Sequence, residues 1–206
     1  QANGKTVLAE LTGKKSAKVT IAGDLDVNGK LELNKVESKE GTTLNVAKDA
    51  TFAGISTLAG KTVVTGKLTA DKAFTSTGDL QVTGKTTFKD AANLSGQNIV
   101  LGDVDFSGAA NLAGQNITLG VATFKTDSAI TKGQTLASDV KLGTGVDLVV
   151  GTDPSETLPD GASANLVTDK LTLAGGTLFV DPSYNVPSSI VVTGELTGAV
   201  ATDKTD

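Results

Sequence analysis

From Gly23 onward, apolar residues alternate with polar ones in short runs, and each run ends at Gly, Asn or Asp before the next begins. A period of two over a few residues predicts half-buried strands, and the punctuation predicts tight corners between them. The runs themselves recur. AANLSGQNIVLGDVDF (Ala91 to Phe106) returns eighteen residues later as AANLAGQNITLGVATF (Ala109 to Phe124), with eleven of sixteen positions identical. GDLDVNGKLEL, GKTVVTGKLTA and GDLQVTGKTTF, starting at Gly23, Gly60 and Gly78, follow the same plan. A fixed short period rich in Gly, Thr, Asn and β-branched residues predicts an all-β parallel solenoid, each coil burying its apolar side chains on the next. The expected unit is about 18 residues per coil, with three short strands and three corners.

Columns follow from the period. Phe52, Ala70, Phe88, Phe106 and Phe124 form one inward file, and Leu58, Ser76, Leu94, Leu112 and Ile130 another. Thr51, Thr69, Thr87, Asp105 and Thr123 each precede the Phe file by one residue, so the pleat turns them toward water. Gly60, Gly78, Gly96 and Gly114, with Gly66, Gly84, Gly102 and Gly120 six residues further on, mark corners, where positive φ is the expected reason for glycine. One feature breaks a single register. Leu44/Val46 and Leu80/Val82 alternate as inward pairs, but the later pairs are Ile99/Leu101 and Ile117/Leu119, one residue displaced. Since the Phe file keeps its spacing, the corner at Gly102 must be one residue shorter than that at Gly84.

Residues 1–22 read as an N-terminal cap or edge coil, 23–142 as regular coils, and 143–206 as less regular coils with loop excursions. All four prolines, Pro154, Pro159, Pro182 and Pro187, lie in that last part. VVTGELTGAV near the end is similar to VVTGKLTADK from Val63, so the solenoid is expected to resume there.

Composition narrows the chemistry. The chain has 18 basic residues, all Lys, against 23 acidic ones, a net charge of −5, and no His, Cys, Met or Trp. Scattered Lys without Arg gives no phosphate-binding surface, so nucleic acid is not an expected partner. Absent Cys, there is no disulfide framework and no thiol chemistry. No apolar run has the ~20 residues of a membrane helix, so membrane insertion of this segment is not expected. A first residue other than Met suggests a processed or excised piece.

With these residues in view, Gly23 to Val200 resembles the passenger regions of bacterial autotransporters and filamentous-haemagglutinin-like exoproteins, and LTLAGGTLFVDPS (Leu171 to Ser183) looks like coils of such passengers. Phrases such as GDLQVTGKTTF are also similar to phage tail-fibre repeats. The first resemblance implies a right-handed β-helix. A left-handed coil of hexapeptides is the alternative, and the Phe file, ten residues after the first Gly file, looks out of phase with it. The implied function is a non-catalytic structural or adhesive stalk of a secreted bacterial surface protein, extracellular and displaying loops. Alternatives are a phage-fibre or self-assembling filament segment and, less favoured, a polysaccharide-active enzyme.

Candidate chemistry is sparse. Asp24 and Asp26 form an i, i+2 carboxylate pair that could serve glycoside cleavage, but with few aromatic residues to make sugar platforms they read as solvated strand-face acids. Asp153, Glu156 and Asp160 offer oxygen ligands within one segment but match no calcium-loop spacing, so no metal or cofactor is expected. They and the single Tyr, Tyr184, are instead the expected contacts with a host surface, another cell-surface molecule or a second copy. Asn98 and Asn116, one coil apart, are expected to stack inside a corner.

Overall fold

The structure is a computed structural model that describes residues 23–33, 36–151, 164–180 and 188–198. These residues form strands without helix, and every strand pairing is parallel. The chain winds as a β-solenoid whose rungs recur about 18 residues apart, with three faces. On the first face the strands Leu25–Val27, Thr43–Val46, Lys61–Val64, Leu80–Val82, Asn98–Leu101, Asn116–Phe124, Gly133–Leu142, Ala164–Thr172 and Ser189–Thr197 stack in that order. VVTGELT does take up the solenoid again: Val192 and Leu196 occupy the first-face and second-face files of Val64 and Leu68.

The inward files are as the pattern requires. Phe52, Ala70, Phe88, Phe106 and Phe124 are register partners in succession, and all are buried. So are Leu58, Ser76, Leu94, Leu112 and Ile130. The gap that Ala70 leaves among larger rings is closed from the third face by Phe74. Its ring centroid is 6.2 Å from that of Phe52 and 5.1 Å from that of Phe88, which makes a continuous aromatic column down to Phe124. Phe74 has Ser56 and Ala92 as register partners, so a large residue among small ones compensates a small residue among large ones. One hydrophobic cluster runs from Val36 to Leu173.

The displaced register is confirmed and its compensation is visible. Leu80 pairs with Ile99, nineteen residues on, but Thr86 pairs with Val104, eighteen on. The third-to-first corner has therefore gained a residue and the first-to-second corner has lost one. The shortening has a consequence the repeats did not reveal. Once two short corners stack, Gly102-Asp103 beneath Gly120-Val121, the ladder runs through, and from Asn116–Phe124 on the first two strands of each rung become one. Three short strands per coil thus hold only for the earlier rungs. Before the shift, inward pairs recur every six residues (Leu80/Val82, Thr86/Phe88, Ala92/Leu94). The Phe file is thus in phase with a hexad, and the phase argument against a hexapeptide coil falls.

The corner glycines stack, but not for the expected reason. Positive φ occurs at Gly41, Gly133, Gly145, Gly175, Gly198 and Ala174, and at none of the eight file glycines. What excludes a side chain there is the rung below. A Cβ on Gly114 would lie 2.7 Å from the Gly96 carbonyl oxygen, and one on Gly84 would lie 2.5 Å from that of Gly66. Glycine is the residue that lets one backbone corner settle on the next.

Buried hydroxyls of this core fall into two groups. Ser56, Ser76 and Thr168 return their hydroxyl hydrogens to carbonyls two residues away. Thr62, Thr86 and Thr135 are equally buried, sit in aliphatic files, and have Oγ1 without a hydrogen-bond partner. Valine keeps the branched shape and removes the stranded oxygen. Thr86→Val is therefore expected to stabilise by about 1 kcal/mol, read as a higher urea midpoint at unchanged slope. A lower midpoint would show that the hydroxyl is satisfied.

Candidate functional site

The expected contact residues Asp153, Glu156, Asp160 and Tyr184 lie outside the described residues. The register locates the surplus chain around them: Thr135 pairs with Leu166, 31 residues on, and Leu166 with Ile190, 24 on, where an ordinary rung takes 18. Among the described residues no three acidic side chains gather into a metal-holding group.

Many of the described acids engage the next rung. Asp24 Oδ1 accepts the Thr43 N–H at 2.7 Å, and Asp26 Oδ1 accepts a hydrogen bond from Asn45 Nδ2 at 2.6 Å, so the two project outward together but each engages the next rung. The same use recurs at corners all along the molecule. Asp49 accepts from the Lys67 N–H, Asp79 from Asn98, Asp103 from Val121 and Asp127 from Asp147, at 2.8–3.0 Å. A corner is where the strand ladder lapses and an N–H would lack its carbonyl. A carboxylate from the preceding rung takes its place, with the added strength of an ionic acceptor. Sequence reading missed this device; its signal was Asp recurring at residues that just precede a strand.

Lysines lean the same way. Lys85 Nζ is 2.8 Å and Lys125 Nζ 3.9 Å from Asp105 Oδ2, and Lys89 Nζ is 2.7 Å from Asp71 Oδ1, each pair joining adjacent rungs. Lys30 pairs with Glu32 along one strand. Hydrogen bonding to Asp105, reinforced by its charge, raises the Lys85 ammonium above the ordinary lysine value, and Glu32 does the same for Lys30. The second-face Thr file is half-buried among these side chains rather than free in water, so it offers no flat hydroxyl array.

The outer first face differs from the rest. Asn98 and Asn116 do stack in register, but they are exposed on this face rather than enclosed in a corner, and their file continues through Gln134, Asn165 and Ser189. Two residues along each strand lies a parallel file of Val100, Thr118, Leu136, Val167 and Val191. Over these five rungs the two files contain no charged residue, whereas the four rungs before them carry Asp24, Asp26, Lys61 and Asp79 in the same files.

Asp24, Asp26, Asp49, Asp79, Asp103 and Asp127 are thus parts of the ladder between rungs. Compared with protein families, with curated proteins and with solved structures, the chain matches none.

Proposed function

We propose that the chain is a non-catalytic structural or adhesive segment of a secreted bacterial surface protein, a stiff solenoid stalk that acts outside the cell. The observation that carries this reading is the use of polar side chains. Corner carboxylates and inter-rung lysines bind one rung to the next, so the chemistry present serves axial continuity rather than a substrate. Parallel rungs ~4.8 Å apart hold the ends of such a stack at a fixed distance, with backbone hydrogen bonds along the axis. Eight steps from Leu25 to Ile190 span roughly 38 Å. The scaffold sets spacing, and the surplus segments holding Asp153, Glu156, Asp160 and Tyr184 supply recognition of a host or neighbouring cell-surface molecule.

Two measurements test the two halves of this reading. Incubated with acidic and neutral polysaccharides, the purified chain is expected to release neither reducing ends nor unsaturated products. Turnover that disappears in Asp24→Asn or Asp26→Asn would sink the non-catalytic half. Displayed on bacterial cells, the chain is expected to confer attachment that is lost when residues 153–163 are replaced by a Gly/Ser linker and Tyr184 by Ala. Attachment surviving both changes would remove recognition from those segments.

A further inference from the structure

We infer that Asn28 is a site of spontaneous covalent modification, losing its side-chain amide to attack by the backbone nitrogen of Gly29 and leaving aspartate or isoaspartate at the corner of the first described rung. The inference does not depend on whether the stalk is adhesive. Among the described residues Asn28 is the one asparagine followed by glycine. The other six, Asn45, Asn93, Asn98, Asn111, Asn116 and Asn165, lie in strands paired on both sides. Each of those is followed by a buried Val, Leu or Ile, which crowds the nitrogen that would have to attack, and the ladder holds each in the extended conformation.

The corner leaves both reacting groups free. Asn28 and Gly29 follow the strand Leu25–Val27, precede Leu31–Leu33 and are exposed. Hydrogen bonds pin only the two ends of this corner: the Ala47 N–H donates to the Val27 carbonyl at 2.8 Å, and the Leu31 N–H to the Asp49 carbonyl at 2.9 Å. Two and three rungs on, the equivalent glycine nitrogens are committed to the rung below. The Gly66 N–H donates to the Lys48 carbonyl at 3.2 Å and the Gly84 N–H to the Gly66 carbonyl at 3.1 Å. Among the described residues the Gly29 N–H donates to no backbone carbonyl. Space follows the same contrast. A Cβ on Gly84 would lie 2.5 Å from the Gly66 carbonyl oxygen, whereas nothing lies within 4 Å of one on Gly29. An exposed pair outside the ladder can therefore turn until nitrogen and amide carbon reach bonding approach, and glycine puts no side chain in the way.

The step needs no reagent but water. The Gly29 nitrogen gives up its proton and bonds to Asn28 Cγ, the bond from Cγ to Nδ2 breaks, and the departing nitrogen takes up a proton and leaves as ammonia. Water then opens the resulting five-membered imide. Cleavage between Cγ and the ring nitrogen restores the main chain with aspartate at position 28. Cleavage at the former backbone carbonyl instead routes the main chain through the side chain, and this isoaspartate adds one methylene to the corner. The corner above, Ala47 to Asp49, keeps its length, so the longer one no longer matches the spacing of its two pins. The amino-terminal described rung is the part of the stack expected to loosen.

Cleavage after lysine isolates the site, because the peptide Val19–Lys30 carries Asn28 as its sole amide side chain. The chain is incubated under mildly alkaline conditions, once folded and once in urea, and the peptide is followed by mass for exchange of NH2 by OH. Folded, Asn28 is expected to convert within tenfold of its rate in urea, to two products of equal mass that separate on elution, and at least tenfold faster than any of the six strand asparagines. Gly29→Ala is expected to slow the conversion at least tenfold without lowering the urea midpoint. Amide hydrogen exchange at Leu31 and Ala47 is expected to quicken in the isoaspartate fraction and to stay unchanged from Thr62 onward. A folded rate more than tenfold below that in urea overturns the inference, since the corner would then hold the two groups apart. Conversion unaffected by Gly29→Ala would remove the Gly29 nitrogen from the step, and unaltered exchange at both Leu31 and Ala47 would overturn the loosening of the rung.

Discussion

Leu112→Asp is expected to abolish the native transition or lower stability by about 5 kcal/mol or more, a rare magnitude for one substitution. Leu112 is fully buried on the third face, with Leu94 below it and Ile130 above. Removing its side chain forfeits about 2–3 kcal/mol of burial before any cavity is counted. The carboxylate then sits between two aliphatic rungs, and an unpaired buried charge costs several kcal/mol more. In a stack whose rungs touch only their neighbours the damage interrupts propagation, separating the rungs on either side. Asn111→Asp is the matched control. It introduces the same charge one residue away on the opposite face of the same strand, where Asn111 is exposed and its Oδ1 already accepts from the Thr131 hydroxyl at 2.7 Å. Urea melts should separate the two by most of the native stability. Similar midpoints would mean that the inward and outward files have been exchanged.

The files were legible because identical residues at a fixed offset can be aligned without knowing the fold, and because the pleat then assigns alternate positions to opposite faces. Even the one-residue shift could be derived, since the Phe file held its place while Ile99 and Leu101 moved. Other features lay beyond that logic. Phe74 reads as an anomaly in a Ser/Ala file until the small Ala70 is seen across the core from it. Asp49 and Asp103 read as surface acids because their partners are amides one rung away, a relation that sequence spacing does not display. Asn98 and Asn116 were aligned correctly but turned the wrong way, since the extra residue in the preceding corner decides which side of the strand they occupy. Asp153, Glu156, Asp160 and Tyr184 belong to no file, so the repeat places no constraint on where they sit.

Gly96→Ala is expected to cost about 3 kcal/mol or more, although it adds a single methyl group to a residue whose φ is not positive. An added Cβ would overlap the carbonyl group of Gly78, its carbonyl carbon lying at 2.8 Å, and would touch Ile99 Cδ1 at 3.0 Å. The side chain could give way, but the Gly78 carbonyl belongs to the backbone of the rung below. Relief therefore requires two rungs to part at that corner. Parting them stretches the Ile99 pairing with Leu80 and the Asn98 N–H contact with Asp79, which close the same corner. Gly29→Ala supplies the contrast, since nothing lies within 4 Å of a Cβ there and its φ is not positive. It should be neutral or stabilising by a few tenths of a kcal/mol, through the less flexible unfolded chain. If both variants melt together, the glycine file does not mark close approach. If Gly96→Ala alone falls, the rung spacing at the corners is fixed by backbone contact, and glycine recurs there because no side chain fits between rungs.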